Sequence, residues 1–209
     1  MIEIKGVSLT IGKVQILKHI NCILENGHIY GLVGVNGCGK TMLMKCICGF
    51  IRPTEGNILI GEKELGKDFE FVPNAGFMIE MPGFIPGYTG YRNLKQIAAL
   101  KGDISKEEIL RCMEISGVAH AANKQVSKYS LGMKQRLGIA QAIMGNPDIY
   151  ILDEPMNALD KNGILRLRNY LLEEKEKGKI ILLASHNHED IEVLCDTVFE
   201  MEEGSILSE

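Results

Sequence analysis

"GVNGCGKT", residues Gly34 to Thr41, closes a run of apolar residues and opens onto what reads as the first turn of a helix. The stretch fits G-x-x-x-x-G-K-[ST], and a strand before it with a helix after it is the context that gives the spacing meaning. Glycines let backbone N–H groups turn inward on phosphate oxygens, and the helix N-terminus adds a favourable dipole. Lys40 then reaches the β- and γ-phosphates, and the Thr41 hydroxyl is placed to ligate Mg²⁺. Gly34, Val35, Asn36, Gly37, Cys38, Gly39, Lys40, Thr41 and Met42 are the expected phosphate-binding stretch. An ordinary glycine turn is the competing reading, and the flanking strand and helix weigh against it.

Working outward, "HIYGLVG", "DIYILDE" and "KIILLASH" are short, nearly continuous apolar runs ending in small or polar residues. That is the pattern of central strands buried on both faces of a largely parallel sheet, with chemistry expected at their C-terminal ends. Helices are predicted over Lys40 to Phe50, Lys106 to Ser116, Leu131 to Met144 and Asn162 to Lys177. Ser105 and Glu108 are spaced as a capping box, and Gly178 stands just past the last helix. Strands alternating with helices make this an α/β fold with a P-loop core and a mostly parallel sheet. Ile2 to Leu9, Ile16 to Leu24 and Asn57 to Ile60 read instead as strands joined by turns, an antiparallel sheet flanking the core. A mostly helical stretch from about Phe84 to Ile115 begins an inserted helical subdomain. We expect one domain over 1–209, with 1–83 and 145–209 as nucleotide-binding core and 84–144 as the helical lobe.

A phosphate cradle needs carboxylates on the metal side, and "IYILDEP" offers Asp153 and Glu154 at the end of a buried strand. Asp153 would hold Mg²⁺ and Glu154 would orient or deprotonate the attacking water. Ahead of that strand stands "YSLGMKQRLGIAQAIMGNPDIYILDEPMNALD", and with it the chain resembles the ATP-binding-cassette (ABC) family of transporter ATPases. "YSLGMKQR" stands where that family has its signature, written LSGGQ-x-QR, with Ser130, Gly132, Gln135 and Arg136 agreeing and Leu131 and Met133 departing. "ALD", Ala158 to Asp160, resembles the D-loop, and "ASH" puts His186 at the position of the switch histidine. His188 reads as a surface residue. The match runs along nearly the whole chain in the family's order.

The resemblance implies an ATPase with ATP and Mg²⁺ as cofactors and Glu154, His186 and Lys40 as its catalytic residues. It implies a head-to-tail dimer, of two copies or of paired ATPase subunits, in which Ser130 and Gly132 of one contact the γ-phosphate held by Lys40 of the other. Ser130 fits that picture physically, as the cap of a helix whose N–H groups offer a second anion site. Thr41, Asp153 and Glu80 are the expected metal side; Glu80, in "FMIEMPGF", stands where the family offers a glutamine. A carboxylate can ligate Mg²⁺ but adds negative charge near the γ-phosphate. Ile11 stands where the family commonly stacks an aromatic ring on adenine. "IEMPGF", "TGYRNL" and "YSLGMKQR" resemble the exporter branch that handles drugs, antimicrobial peptides and lantibiotics. Members of that branch often carry a C-terminal extension, and a chain ending soon after "EMEEGSILSE" reads as a short form. A separate membrane permease would be the partner, docked on apolar residues of the lobe such as Phe84, Ile85 and Tyr88.

Bulk properties agree. Twenty-three Lys and Arg against 27 Asp and Glu give a net charge of −4, which does not argue for nucleic acid as a partner. Six cysteines lie mostly in apolar segments without zinc or disulfide spacing, as suits a reducing compartment, and Cys46 and Cys48 read as core. Cys38, inside the cradle, reads as a small filler, with a reactive thiol as the alternative. No apolar run is long enough to cross a bilayer and "MIEIKGVSLT" lacks a signal layout, so a cytoplasmic location, peripheral on the membrane through the permease, is expected. Two other readings compete: a soluble ABC protein of translation or DNA repair, and a non-hydrolysing ATP-binding regulator, which Ile11 and Glu80 favour and Glu154 with His186 oppose.

Overall fold

The computed structural model describes residues 1–80, 83–102, 104–157 and 159–208. Strands β1 (Ile2–Ile11), β2 (Val14–Leu24) and β3 (His28–Val33) lead into helix α1 (Lys40–Cys48). Strands β4 (Glu55–Ile60), β5 (Lys63–Glu64) and β6 (Ala75–Met78) precede helices α2 (Gly90–Lys101), α3 (Lys106–Ile115) and α4 (Leu131–Ile143). The chain then alternates through β7 (Ile149–Asp153), α5 (Lys161–Glu176), β8 (Ile180–Ala184), α6 (His188–Leu194), β9 (Thr197–Glu202) and β10 (Ser205–Ser208).

Two sheets result. The first runs β2-β1-β4-β5 and is antiparallel throughout, with Ile2 opposite Leu24 on one side and Ile60 on the other. The second runs β10-β9-β3-β8-β7-β6 and is parallel except for the β9–β10 hairpin at its edge. The mostly parallel core and the flanking antiparallel sheet are therefore as the sequence predicts.

The central strands show why their sequences carry no polar alternation. In β8, Ile181 and Leu183 point into the core shared with α3, α4 and α5, whereas Ile180, Leu182 and Ala184 point into the core under α1 and the antiparallel sheet. Alternate side chains leave opposite faces of a strand, so a strand covered on both sides must be apolar at every position. Each of the Ile and Leu side chains contributes about 1.5–3 kcal/mol by leaving water.

Helix ends follow local chemistry. Ser105 Oγ accepts from the Glu108 amide at 3.1 Å, as the capping spacing requires, while the Glu108 carboxylate is taken by Arg111. Helix α1 stops at Cys48, earlier than the predicted Phe50, because Gly49 at φ 86 turns the chain and sends its amide back to the Cys46 carbonyl at 3.0 Å. Cys46 and Cys48 are fully buried, and burial alone pushes their thiols up to about 11 and about 12.

Strand β6 has no counterpart in the sequence reading, nor do α6, β9 and β10. β6 is four residues, "AGFM", and its Gly76 is set by packing rather than by strand propensity. A Cβ at Gly76 would lie 1.8 Å from the Ala142 carbonyl oxygen, so the absence of a side chain lets α4 rest its backbone on the sheet. Through that contact the edge strand sets the position of the helix that carries the serine-glycine motif.

Candidate nucleotide-binding and catalytic site

β3 delivers the chain to the P-loop at the C-terminal end of the parallel sheet. Gly34 has φ 145, and a Cβ there would meet the Met201 carbonyl oxygen at 2.2 Å, so β9 and the loop can approach only around a glycine. Gly39 caps α1 at φ 114, which turns the loop into the helix. The Lys40 ammonium donates to the Gly34 carbonyl at 2.7 Å and the Val35 carbonyl at 3.1 Å, folding back over its own loop. Val35 is exposed, and Cys38 is buried with its sulfur 3.8 Å from Lys40 Nζ, the environment of a packed filler.

From the next turn the Thr41 hydroxyl donates to Asp153 Oδ2 at 2.7 Å, joining α1 to the end of β7. Burial raises the Asp153 carboxyl above its ordinary range, the Thr41 hydrogen bond opposes this, and the neighbouring Glu154 charge adds to it. Glu154 follows with φ 51, a conformation held from two sides: its amide donates to Ala184 at 2.9 Å and its carbonyl accepts from Gln135 Nε2 at 3.1 Å. Its Oε2 lies 2.8 Å from His186 Nδ1. A carboxylate accepts only, so the imidazole carries its proton on Nδ1 in this contact.

A cavity of about 520 Å³ opens over these groups, lined by Ile16, Asn36, Gly37, Gly39, Lys40, Thr41, Met42, Met78, Glu80, Gln135, Asp153 and Glu154. The fold thus gathers the loop, Thr41, Asp153 and Glu154 around one space, with His186 attached through Glu154. Glu80 reaches it from the loop after β6 at φ 57, with Oε1 2.7 Å from Lys45 Nζ. Ser130 and Gly132 stand apart at the start of α4, where Ser130 Oγ accepts from the Met133 amide at 3.2 Å. Ala158 of the D-loop lies outside the described residues, while Asp160 is held by Arg136 at 3.1 Å. Ile11 is half exposed and not among the cavity-lining residues; Ile16 of β2 provides the apolar wall. A larger cavity, about 750 Å³, lies between Gly49–Pro53 and the segment 64–70, where Arg52 donates to the Gly66 carbonyl and Lys67 pairs with Glu64; no P-loop residue lines it.

Ile16, Met78 and Gln135 line the cavity and Lys45 joins it through Glu80, and none of the four was in the sequence-based site. Gln135 had a signal in its match to the signature, but its hold on the Glu154 backbone needed the tertiary structure. Lys45 had one too, standing four residues after Thr41 on a helix.

The oxygen donors suit magnesium. Thr41 Oγ1 and Asp153 Oδ2 converge, and a cation beside them would relieve the buried charge on Asp153. Among the described residues no group of three or more His, Cys, Asp or Glu could cage a metal. Mg²⁺ needs no such cage, since it is bound by one or two protein oxygens and the substrate phosphates.

The sequence model described as ABC transporter matches residues 17–157, well over half of the chain. The chain belongs to the ABC transporter family. An uncharacterized ABC transporter ATP-binding protein of Bacillus subtilis, YybJ, is 44% identical over 99% of this chain and 94% of its own length. The bacitracin transport ATP-binding protein BcrA of Enterococcus faecalis is 39% identical over 100% of this chain and 68% of its own. Among solved structures, an ATP-binding subunit of an ABC transporter superposes with a TM-score of 0.88 at 27% identity, covering 99% of this chain and 88% of that one. These ABC relatives cover the antiparallel sheet, the parallel core and the helical layer together.

Proposed function

We propose that this ABC protein binds and hydrolyses Mg–ATP to drive a separate membrane-spanning permease, as the ATPase subunit of an exporter for antimicrobial peptides or drugs. The observation that carries the reading is the Glu154–His186 contact at 2.8 Å beside the Thr41–Asp153 pair, because it supplies what hydrolysis needs beyond binding. A relative named for bacitracin transport supports the exporter branch. Among the described residues no helix is long and apolar enough to cross a membrane, and this reading assigns the spanning helices to the permease. Ile85, half exposed, with Phe84 and Tyr88 beside it, offers the lobe's docking surface for that partner, with 84–144 acting as the lobe and the chain held at the cytoplasmic membrane face.

In this mechanism the amides from Gly34 to Met42 cradle the phosphates and Lys40 leaves its loop carbonyls to reach the β- and γ-oxygens. Thr41, Asp153 and Glu80 are the residues that would hold magnesium, which when bound would neutralise developing phosphate charge. Glu154 accepts the proton of the attacking water, its backbone fixed by Gln135 and Ala184 so that the carboxylate keeps its aim. His186 orients that carboxylate and turns its other ring nitrogen toward the γ-phosphate. Ser130 and Gly132, remote from their own cavity, complete the site of a second subunit packed head to tail.

The test is steady-state turnover of the purified protein with Mg²⁺, wild type against Glu154→Gln, with light scattering to follow dimerisation. We expect turnover to fall by at least about 100-fold, the range for losing a general base, with an ATP-dependent dimer trapped in the variant. Equal turnover in both proteins would refute the role of Glu154.

A further inference from the structure

Thr41 and Lys45 stand one helical turn apart on the same face of α1. Thr41 meets Asp153 at 2.7 Å, and Lys45 meets Glu80 at 2.7 Å, so one face of the helix addresses two of the three carboxylates that line the cavity. Side chains on a helix lean toward its N-terminus, which carries the Lys45 ammonium back toward the phosphate loop. The Lys45 side chain is 22% exposed and Glu80 63%, so the lysine is the more deeply drawn in and the carboxylate the more open to solvent.

Resting on the nucleotide-site reading above, we propose that Lys45 is a positioning residue, whose ammonium holds the Glu80 carboxylate on the α1 side of the cavity and cancels the charge it brings to the phosphates. Asp153, Glu154 and Glu80 all face the space where a polyanion is to be held, against Lys40 alone within the P-loop. A carboxylate where a neutral amide would do is tolerable to a triphosphate only when its charge is answered, and Lys45 is the cation in contact with it. A lysine in the last turn of α1 also suits the negative end of the helix dipole. That role would be indifferent to residue 80, which separates the two accounts.

The experiment is a double-variant cycle read as ATP binding by calorimetry, in a Glu154→Gln background that slows hydrolysis, with Mg²⁺ and again with EDTA. Thermal unfolding of each variant checks that the fold is intact. We expect Lys45→Met to weaken binding about fivefold while Glu80 is present, the scale of a partly exposed ion pair. With Glu80→Gln in place, Lys45→Met should cost less than about twofold. Equal losses in the two backgrounds, or no loss with Glu80 present, would overturn the coupling. Failure of the Glu154→Gln background to bind ATP at all would remove the nucleotide-site reading, and this inference with it.

Discussion

Replacing Gly76 with alanine places a methyl group against backbone, where nothing can rotate away. The added Cβ would sit 1.8 Å from the Ala142 oxygen and 2.8 Å from Pro147 Cγ, against 3.4 Å for an ordinary contact. Helix α4 or strand β6 must therefore withdraw by about 1.6 Å, more than a packed interior absorbs by side-chain adjustment. Overpacking typically costs 1–3 kcal/mol, and a clash with a carbonyl oxygen belongs at or above the upper end, about 3 kcal/mol. For a domain of this size each kcal/mol moves the melting temperature by about 2–4 °C, so a fall of about 6–12 °C is expected. The assay is thermal unfolding of metal-free and nucleotide-free protein, followed by ATP turnover well below the new transition. Turnover should fall as well, because the same helix carries Gln135, whose amide holds the Glu154 carbonyl at 3.1 Å. A melting temperature within about 2 °C of wild type would refute the claim that Gly76 sets the seat of α4.

Two further outcomes follow from charge. Because burial raises the Asp153 carboxyl in the folded state, the native protein binds that proton more tightly than the unfolded chain. Its contribution is fully present below the ordinary carboxylate range and is lost as pH rises through the raised value; Asp153→Asn should thus melt above wild type at pH 7 without metal, converging with it on acidification, while Mg²⁺-dependent turnover disappears. A lower melting temperature for the variant at pH 7 would contradict this. Arg168 holds Asp190, 1% exposed, at 2.6 Å, so Arg168→Ala leaves a buried carboxylate without its cation and should cost about 3–5 kcal/mol in denaturant unfolding. A loss under 1 kcal/mol would mean that water replaces the guanidinium.

Strong local patterns were legible without coordinates. The buried strands β3, β7 and β8 were legible as nearly continuous apolar runs because both their faces are covered, with His28 at the start of β3 and Asp153 at the end of β7 as the polar exceptions, and the P-loop announced itself because its glycines answer to local backbone geometry. Asp153 and Glu154 were legible because they close such a strand, and Ser130 because a cap acts over three residues. β6 was not legible: its Ala-Gly start answers to a helix 66 residues further on, whose carbonyl occupies the space of a side chain. The contact between Glu154 and His186 spans 32 residues and the one between Lys45 and Glu80 spans 35, and neither spacing leaves a periodic trace. Sequence determined which chemical groups the protein has and which short elements carry them, since those depend on neighbours along the chain. Only the tertiary structure decided that Gln135 steadies Glu154 and that Lys45 answers Glu80, because those contacts depend on how the sheet stacks its strands and where α4 comes to rest.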